Sequence, residues 1–160
     1  MPPQIINLPP TTLVGHSQEM SLANDQTRSL FQGFMPQRNT IMGRTDKRVY
    51  DLRVYEPGLD FLTFGPTTVF TKWAAVEIDG AQTEQAGFHS FHLTGGLYAC
   101  FEHKGPASDV ARVFGYIFQQ WLPFSGYQLD DRPHFEIMPE GYQPMAPDAE
   151  EQIWIPIKTN

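Results

Sequence analysis

Residues 95–121, GGLYACFEHKGPASDVARVFGYIFQQW, carry a strand, a turn and a helix in one run. Glycines open the strand, over residues 95–105. Gly105-Pro106 then starts a helix, with Pro106 near the first helical position, where its missing N–H costs least. Ser108 or Asp109 is placed to cap it. Val110, Val113, Phe114, Ile117 and Trp121 recur at spacings of three, one, three and four, an amphipathic stripe, and Leu122-Pro123 ends it. HFEIM (residues 134–138) reads as a short strand. After a polar loop rich in Pro, Gly and Asp, EEQIWIPIK (residues 150–158) reads as another.

The same plan runs through residues 11–79. LVGHSQEMSL (13–22) is a first strand, Asn24 and Asp25 are helix caps, and Leu30, Phe31, Phe34 and Met35 form a helical stripe that Pro36 stops. VYDLRVYE (49–56), the turn Pro57-Gly58 and VFTKWAAVEID (69–79) complete the set. The opening MPPQIINLPP reads as an extended lead-in. The expected architecture is a single α+β domain over residues 1–160, a tandem of two strand–helix–strand–strand modules (about 11–79 and 87–158) related by a pseudo-twofold. Its sheet would be antiparallel, with helices packed on it and a ligand cleft between the halves. No G-x-G-x-x-G stands at a strand–helix junction, so a dinucleotide fold is not indicated.

Eighteen acidic residues against 11 basic ones give a net charge of −7. Such a surface repels phosphates on average, and Asp46 and Asp51 interrupt the one basic cluster, Arg44, Lys47, Arg48 and Arg53, so no nucleic-acid partner is expected. A chain of this length buries roughly 70% of its unfolded surface without a disulfide or metal. Its one cysteine, Cys100, suits a reducing compartment. With no signal peptide and no run of ~18 apolar residues, the expectation is a cytoplasmic protein with no membrane partner.

Period-two alternation assigns faces. Ile153, Ile155 and Ile157 share the helix side, leaving Gln152, Trp154 and Pro156 on the other. Ala74, Val76 and Ile78 leave Trp73, Ala75 and Glu77 opposite them. Each half therefore sets a tryptophan and a polar group on a face away from the main core, the usual make-up of a small-molecule pocket. The bland alternative is that the indoles cover a half-exposed sheet and Glu77 makes a surface ion pair. The candidate ligand-binding residues are Trp73, Glu77, Gln152 and Trp154, then Tyr55, Phe64, Tyr116 and Trp121, although Trp121 sits on the helical stripe. The ligand would be planar, neutral or weakly cationic. Glu77 is the one candidate general acid or base; it could equally meet a cation, with cation–π contacts worth ~0.5–2 kcal/mol each.

Other chemistry has little support. His89 and His92 form an H-x-x-H that, on a strand or loop, throws its rings to opposite faces. His103 adds no third ligand at a recognisable spacing, so no metal or other cofactor is expected. Cys100 has no activating partner in sequence. No G-x-S-x-G or S-x-x-K occurs. Asp130-Asp131-Arg132 reads as a turn with an ion pair.

The blocks MSLAND (20–25), FMPQR (34–38), KWAAVEI (72–78), GGLYACFEHKGPAS (95–108), YIFQQWLPFSGYQLDDRPHFEI (116–137) and EEQIWIPIK (150–158) together resemble the GyrI-like small-molecule-binding domain, also known as the effector-binding domain of AraC-type and multidrug-sensing regulators. The resemblance covers about Leu13 to Lys158 and implies the tandem fold and its cleft. It also implies a glutamate in the final strand, two residues before the tryptophan, that meets cationic drugs in some relatives and looks catalytic in others that hydrolyse cyclopropane-bearing genotoxins. Here that position is Gln152, which cannot act as a base and forms weaker hydrogen bonds than a charged group. The resemblance thus points to a stand-alone sensor or sequestering protein. A hydrolase acting through Glu77, or a protein-interaction module like the family's gyrase inhibitor, are the alternatives.

Overall fold

The computed structural model describes residues 2–160. Nine strands and two principal helices follow in the order β1 (Gln4–Leu8), β2 (Thr11–Met20), α1 (Thr27–Phe34), β3 (Val49–Val54), β4 (Phe70–Ile78), β5 (His89–Leu93), β6 (Gly96–Lys104), α2 (Val110–Tyr116), β7 (Tyr127–Leu129), β8 (His134–Met138) and β9 (Glu150–Thr159). Across the open sheet the order is β1-β6-β9-β8-β3-β4-β2-β5, with β7 paired to the end of β9. All these pairings are antiparallel. The two halves of the chain meet where β3 pairs with β8.

Local chemistry accounts for the element ends. Asp25 Oδ1 accepts the Thr27 N–H at 2.9 Å and so satisfies an orphan donor at the start of α1. The α-helix stops at Phe34, and a 3-10 turn over Met35–Thr40 accommodates Pro36. Ahead of α2, Asp109 makes no side-chain cap, and a 3-10 turn, Ala107–Asp109, leads in instead. α2 runs without break into a π turn, Ile117–Trp121, and a closing turn, Leu122–Phe124. In a regular α-helix the ring of Pro123 would strike the carbonyl of Gln119; the wider π turn lies at that point.

The lead-in expected over residues 1–10 contains an edge strand, β1, whose residues pair one for one with β6. Prolines flank it on both sides, and its backbone bonds come from a segment ninety residues away. Gly95 makes the close approach possible: it has φ +81°, and a Cβ there would lie 2.3 Å from the Leu8 carbonyl oxygen. β5 and β7 are equally short and were not anticipated. The remaining strands match the sequence reading to within two residues at each end.

Three buried apolar clusters fill the molecule. Two lie on the helix side: Leu30 and Phe34 of α1 pack with Val14, Val76 and Ile78, and Ile117 packs with Phe101, Ile153, Ile155 and Ile157. The third, on the opposite face, contains no helix residue. It joins Tyr50, Leu52, Trp73, Tyr98, Phe135 and Trp154, flanked by Ile6, Leu8 and Phe91 from the outer strands.

Candidate functional site

Register places the two tryptophans. Trp73 of β4 lies opposite Leu52 of β3, Leu52 opposite Phe135 of β8, and Phe135 opposite Trp154 of β9. Directly opposed residues point to the same side of a sheet, so Trp73, Leu52, Phe135 and Trp154 form one row across four strands, centred on the junction of the halves. At ~4.8 Å per strand, the two indoles stand about 14 Å apart along the sheet. Phe135 stacks on Trp154 at 5.3 Å and 15°, Tyr98 meets Trp154 edge-on at 6.0 Å, and Phe91 covers Trp73 at 5.5 Å. Both indoles are buried, 9% and 7% exposed.

The next row, one step along the same face, is more polar. It runs Ala75–Tyr50–Ile137–Gln152–Glu102. Glu77 lies two residues beyond Ala75 and is half-buried, as is Gln152, whereas Glu102 is exposed. Tyr50 donates its hydroxyl to Glu77 Oε1 at 2.9 Å, and burial together with that carboxylate raises the phenol well above its ordinary range. The Trp154 Nε1–H donates to Gln152 Oε1 at 3.1 Å. The face thus grades from an aromatic floor to a polar end bearing two carboxylates, an amide and a phenol.

Of the expected site residues, Trp73, Glu77, Gln152 and Trp154 share this face. Tyr55 and Phe64 lie on the helix side with Phe70, and Tyr116 and Trp121 pack around Ile117. Trp121 meets Phe101 edge-on at 5.1 Å. Tyr50, Phe135 and Tyr98 on the aromatic face were not singled out from sequence. The alternation in VYDLRVY does put Tyr50 with Leu52, but only the β3–β4 register brings it to Glu77.

Two surface hollows lie elsewhere. One of about 400 Å³ runs along residues 83–90. The other, of about 180 Å³, is walled by Tyr55, Phe61, His134 and residues 130–133. Neither is bounded by the four residues of the aromatic face, whose rings close on one another.

Cys100 lies behind Trp154 in the same row, and burial pushes its thiol up to about 12, which makes it inert at neutral pH. Among the described residues no group of three or more His, Cys, Asp or Glu side chains is arranged to hold a metal ion. Nor is any helix long and apolar enough to cross a membrane. The expected turn at Asp130-Asp131-Arg132 is present: Arg132 pairs with Asp130 at 2.7 Å, donates to the carbonyls of Gly95, Leu97 and Ile157, and lies 4.7 Å from the centre of the Tyr98 ring.

The transcriptional regulator BrlR of Pseudomonas aeruginosa is 26% identical over 156 residues, covering 96% of this chain and 54% of the regulator; the chain thus spans about half the length of that curated relative. Among solved structures, SAV2435 bound to tetraphenylphosphonium aligns with a TM-score of 0.68 at 21% identity, covering 99% of this chain and 94% of that one. The C-terminal domain of EcmrR aligns with a TM-score of 0.67 at 13% identity, covering 98% and 97%. At those identities the structures speak for the fold. The profile of the GyrI-like small molecule binding domain matches residues 1–158, and the chain belongs to that family.

Proposed function

We propose that this protein binds a planar or aromatic small molecule, neutral or weakly cationic, on the helix-free face of its sheet, and serves as a cytoplasmic sensor or sequestering protein. The observation that carries the reading is the row Trp73–Leu52–Phe135–Trp154 with Glu77 and Gln152 on the same face. Aromatic walls supply apolar contact area, and a few convergent polar groups supply orientation. In this reading the halves are tandem copies related by a pseudo-twofold between β3 and β8. The strand order supports this, since β6-β9-β8 and β3-β4-β2 set the first, third and second strands of each half in mirrored sequence. The ligand enters from the polar end and displaces the contacts that now cover the indoles, Phe91 on Trp73 and Tyr98 on Trp154.

Tetraphenylphosphonium, named with SAV2435, is the natural first probe. Glu77 is the half-buried carboxylate this face offers a cation, since the position expected to carry a glutamate in the final strand holds Gln152 and Glu102 is exposed. The test is a titration of a Trp121→Phe variant, whose remaining indoles are the two on this face, with tetraphenylphosphonium and with a neutral aromatic of similar size. Fluorescence quenching with a rise in melting temperature is expected. Unchanged fluorescence and melting with both, and across a wider library of aromatic compounds, overturns the reading.

The Tyr50–Glu77 hydrogen bond favours one second reading, hydrolysis of a strained electrophile with Glu77 activating water. Glu77→Gln would then abolish turnover while binding persists. If the wild type does not turn over cyclopropane-bearing substrates, this reading falls.

A further inference from the structure

On the helix side of the sheet, the junction of the two halves is charged. Asp51 and Arg53 of β3, Glu136 and His134 of β8, Lys72 of β4 and Glu151 of β9 all project there, by the same register that sets the tryptophans on the other side. Arg53 bridges the halves to Glu136 at 2.8 Å, and Lys72 pairs with Asp51 at 3.4 Å. Glu151 is 5% exposed and stands one same-face step along β9 from Ile153, the residue opposite Glu136. At this junction three buried polar atoms have no hydrogen-bond partner: Asp51 Oδ1, Arg53 Nε and Glu151 Oε1.

The charge count is three carboxylates against two cations. A buried carboxylate without a partner, beside another carboxylate, favours its protonated form. Other groups also face Glu151. His103 stands opposite it on β6, with the exposed Asp109–Arg112 pair beyond, and Tyr142 approaches from the loop before β9.

We propose that this junction holds one exchangeable proton, shared by Glu151 and Glu136, and that its loss unseats α2 and loosens the contact between the two halves. α2 is the element that responds because it covers the cluster. The Phe114 ring lies 5.0 Å from the Arg53 guanidinium, and Phe118, in the π turn that follows, stacks on His134. The inference does not depend on what the opposite face binds.

Burial, and the Glu136 carboxylate beside it, push the Glu151 carboxyl up to about 8. A carboxyl raised in the folded state keeps its proton after the unfolded chain has lost its own. Its stabilising effect is therefore complete below about pH 4.5 and is lost as pH rises towards 8. His134, which titrates in the unfolded chain near pH 6.5, tilts stability the other way below that value. The window that isolates Glu151 is therefore about pH 7 to 8.

The experiment is urea denaturation of the wild type and Glu151→Gln at intervals from pH 6.5 to 9, with hydrogen exchange followed at the α2 amides. In the wild type the folded-to-unfolded ratio falls by up to about tenfold per pH unit between 7 and 8 and then levels, while α2 protection drops beyond the intrinsic rate change. The amide variant, which donates as the protonated acid does, shows neither trend. Equal slopes in the two proteins overturn the proposal. Carboxyl carbon NMR on the wild type decides the matter even if the variant fails to fold: a Glu151 resonance titrating in the ordinary glutamate range overturns it, and one titrating near 8 that moves down in Glu136→Gln supports it.

Discussion

The Tyr50 hydroxyl and the Glu77 carboxylate, 27 residues apart in sequence, meet at 2.9 Å on the helix-free face of the sheet. β3 and β4 run antiparallel with Tyr50 opposite Ala75, so Glu77 stands one same-face step along the neighbouring strand, within reach of a phenol. The bond fixes the carboxylate at the edge of the aromatic floor.

Tyr50→Phe removes that donor and leaves the ring in place. Hydrogen bonds to charged groups contribute ~1.5–3 kcal/mol, and Glu77 is half-buried and regains water, so the expected loss is about 1.5 kcal/mol. Urea denaturation at pH 7 measures it as a lower midpoint with unchanged slope. An equal midpoint shows the bond contributes nothing to stability.

Trp154→Ala empties the space beside Phe135 and Tyr98. Deleting a buried tryptophan side chain costs ~3–5 kcal/mol. Trp154→Phe keeps most of the stack on Phe135 and is expected to lose less, while still removing Gln152's indole partner. Comparing the two variants separates ring packing from the hydrogen bond.

Arg132→Ala removes a guanidinium that serves three backbone carbonyls, an aspartate and a tyrosine face. The carbonyls belong to Gly95, Leu97 and Ile157, so one side chain ties the start of β6 to β9. A loss of about 3 kcal/mol is expected, and Arg132→Lys should recover little, because an ammonium cannot match the planar fork. Full recovery by lysine would show that charge alone matters.

His134 sets an acid limit on stability. Burial, reinforced by the Arg53 charge, holds its imidazole down at about 3. The unfolded chain takes up a proton near pH 6.5 and the folded chain does not, so stability present above pH 6.5 is lost as pH falls towards 3. Glu151 shifts stability the opposite way over this range, so the measurement is the urea midpoint at pH 7 and at pH 5 in the Glu151→Gln background. His134→Gln should flatten the difference, and an unchanged difference would place the acid sensitivity elsewhere.

Much of the fold was legible because it rests on local patterns. The stripe from Val110 to Trp121, the isoleucine alternation in EEQIWIPIK and the turn at Pro57-Gly58 report their own backbone state. The short strands β1, β5 and β7 were illegible for the converse reason: each is held by a partner distant in sequence. The site divided in the same way. Alternation within one strand set Trp73 with Glu77 and Gln152 with Trp154; it also sets Tyr55 opposite Tyr50 and the stripe holds Trp121, and both pack on the helix side with Phe64 and Tyr116, which only tertiary contacts place.

By itself the sequence determined which residues of each strand look the same way, because the side-chain period of two is a property of a single extended chain. Only the tertiary structure decided which strands lie side by side, and so which rings and charges become neighbours. Pairing β3 with β8 is one long-range choice with two consequences: it aligns Trp73 with Trp154 on one face and gathers Asp51, Arg53 and Glu136 on the other. Register is a relation between segments eighty residues apart, and the energy that sets it, burial of both faces at once, exists only after they have met.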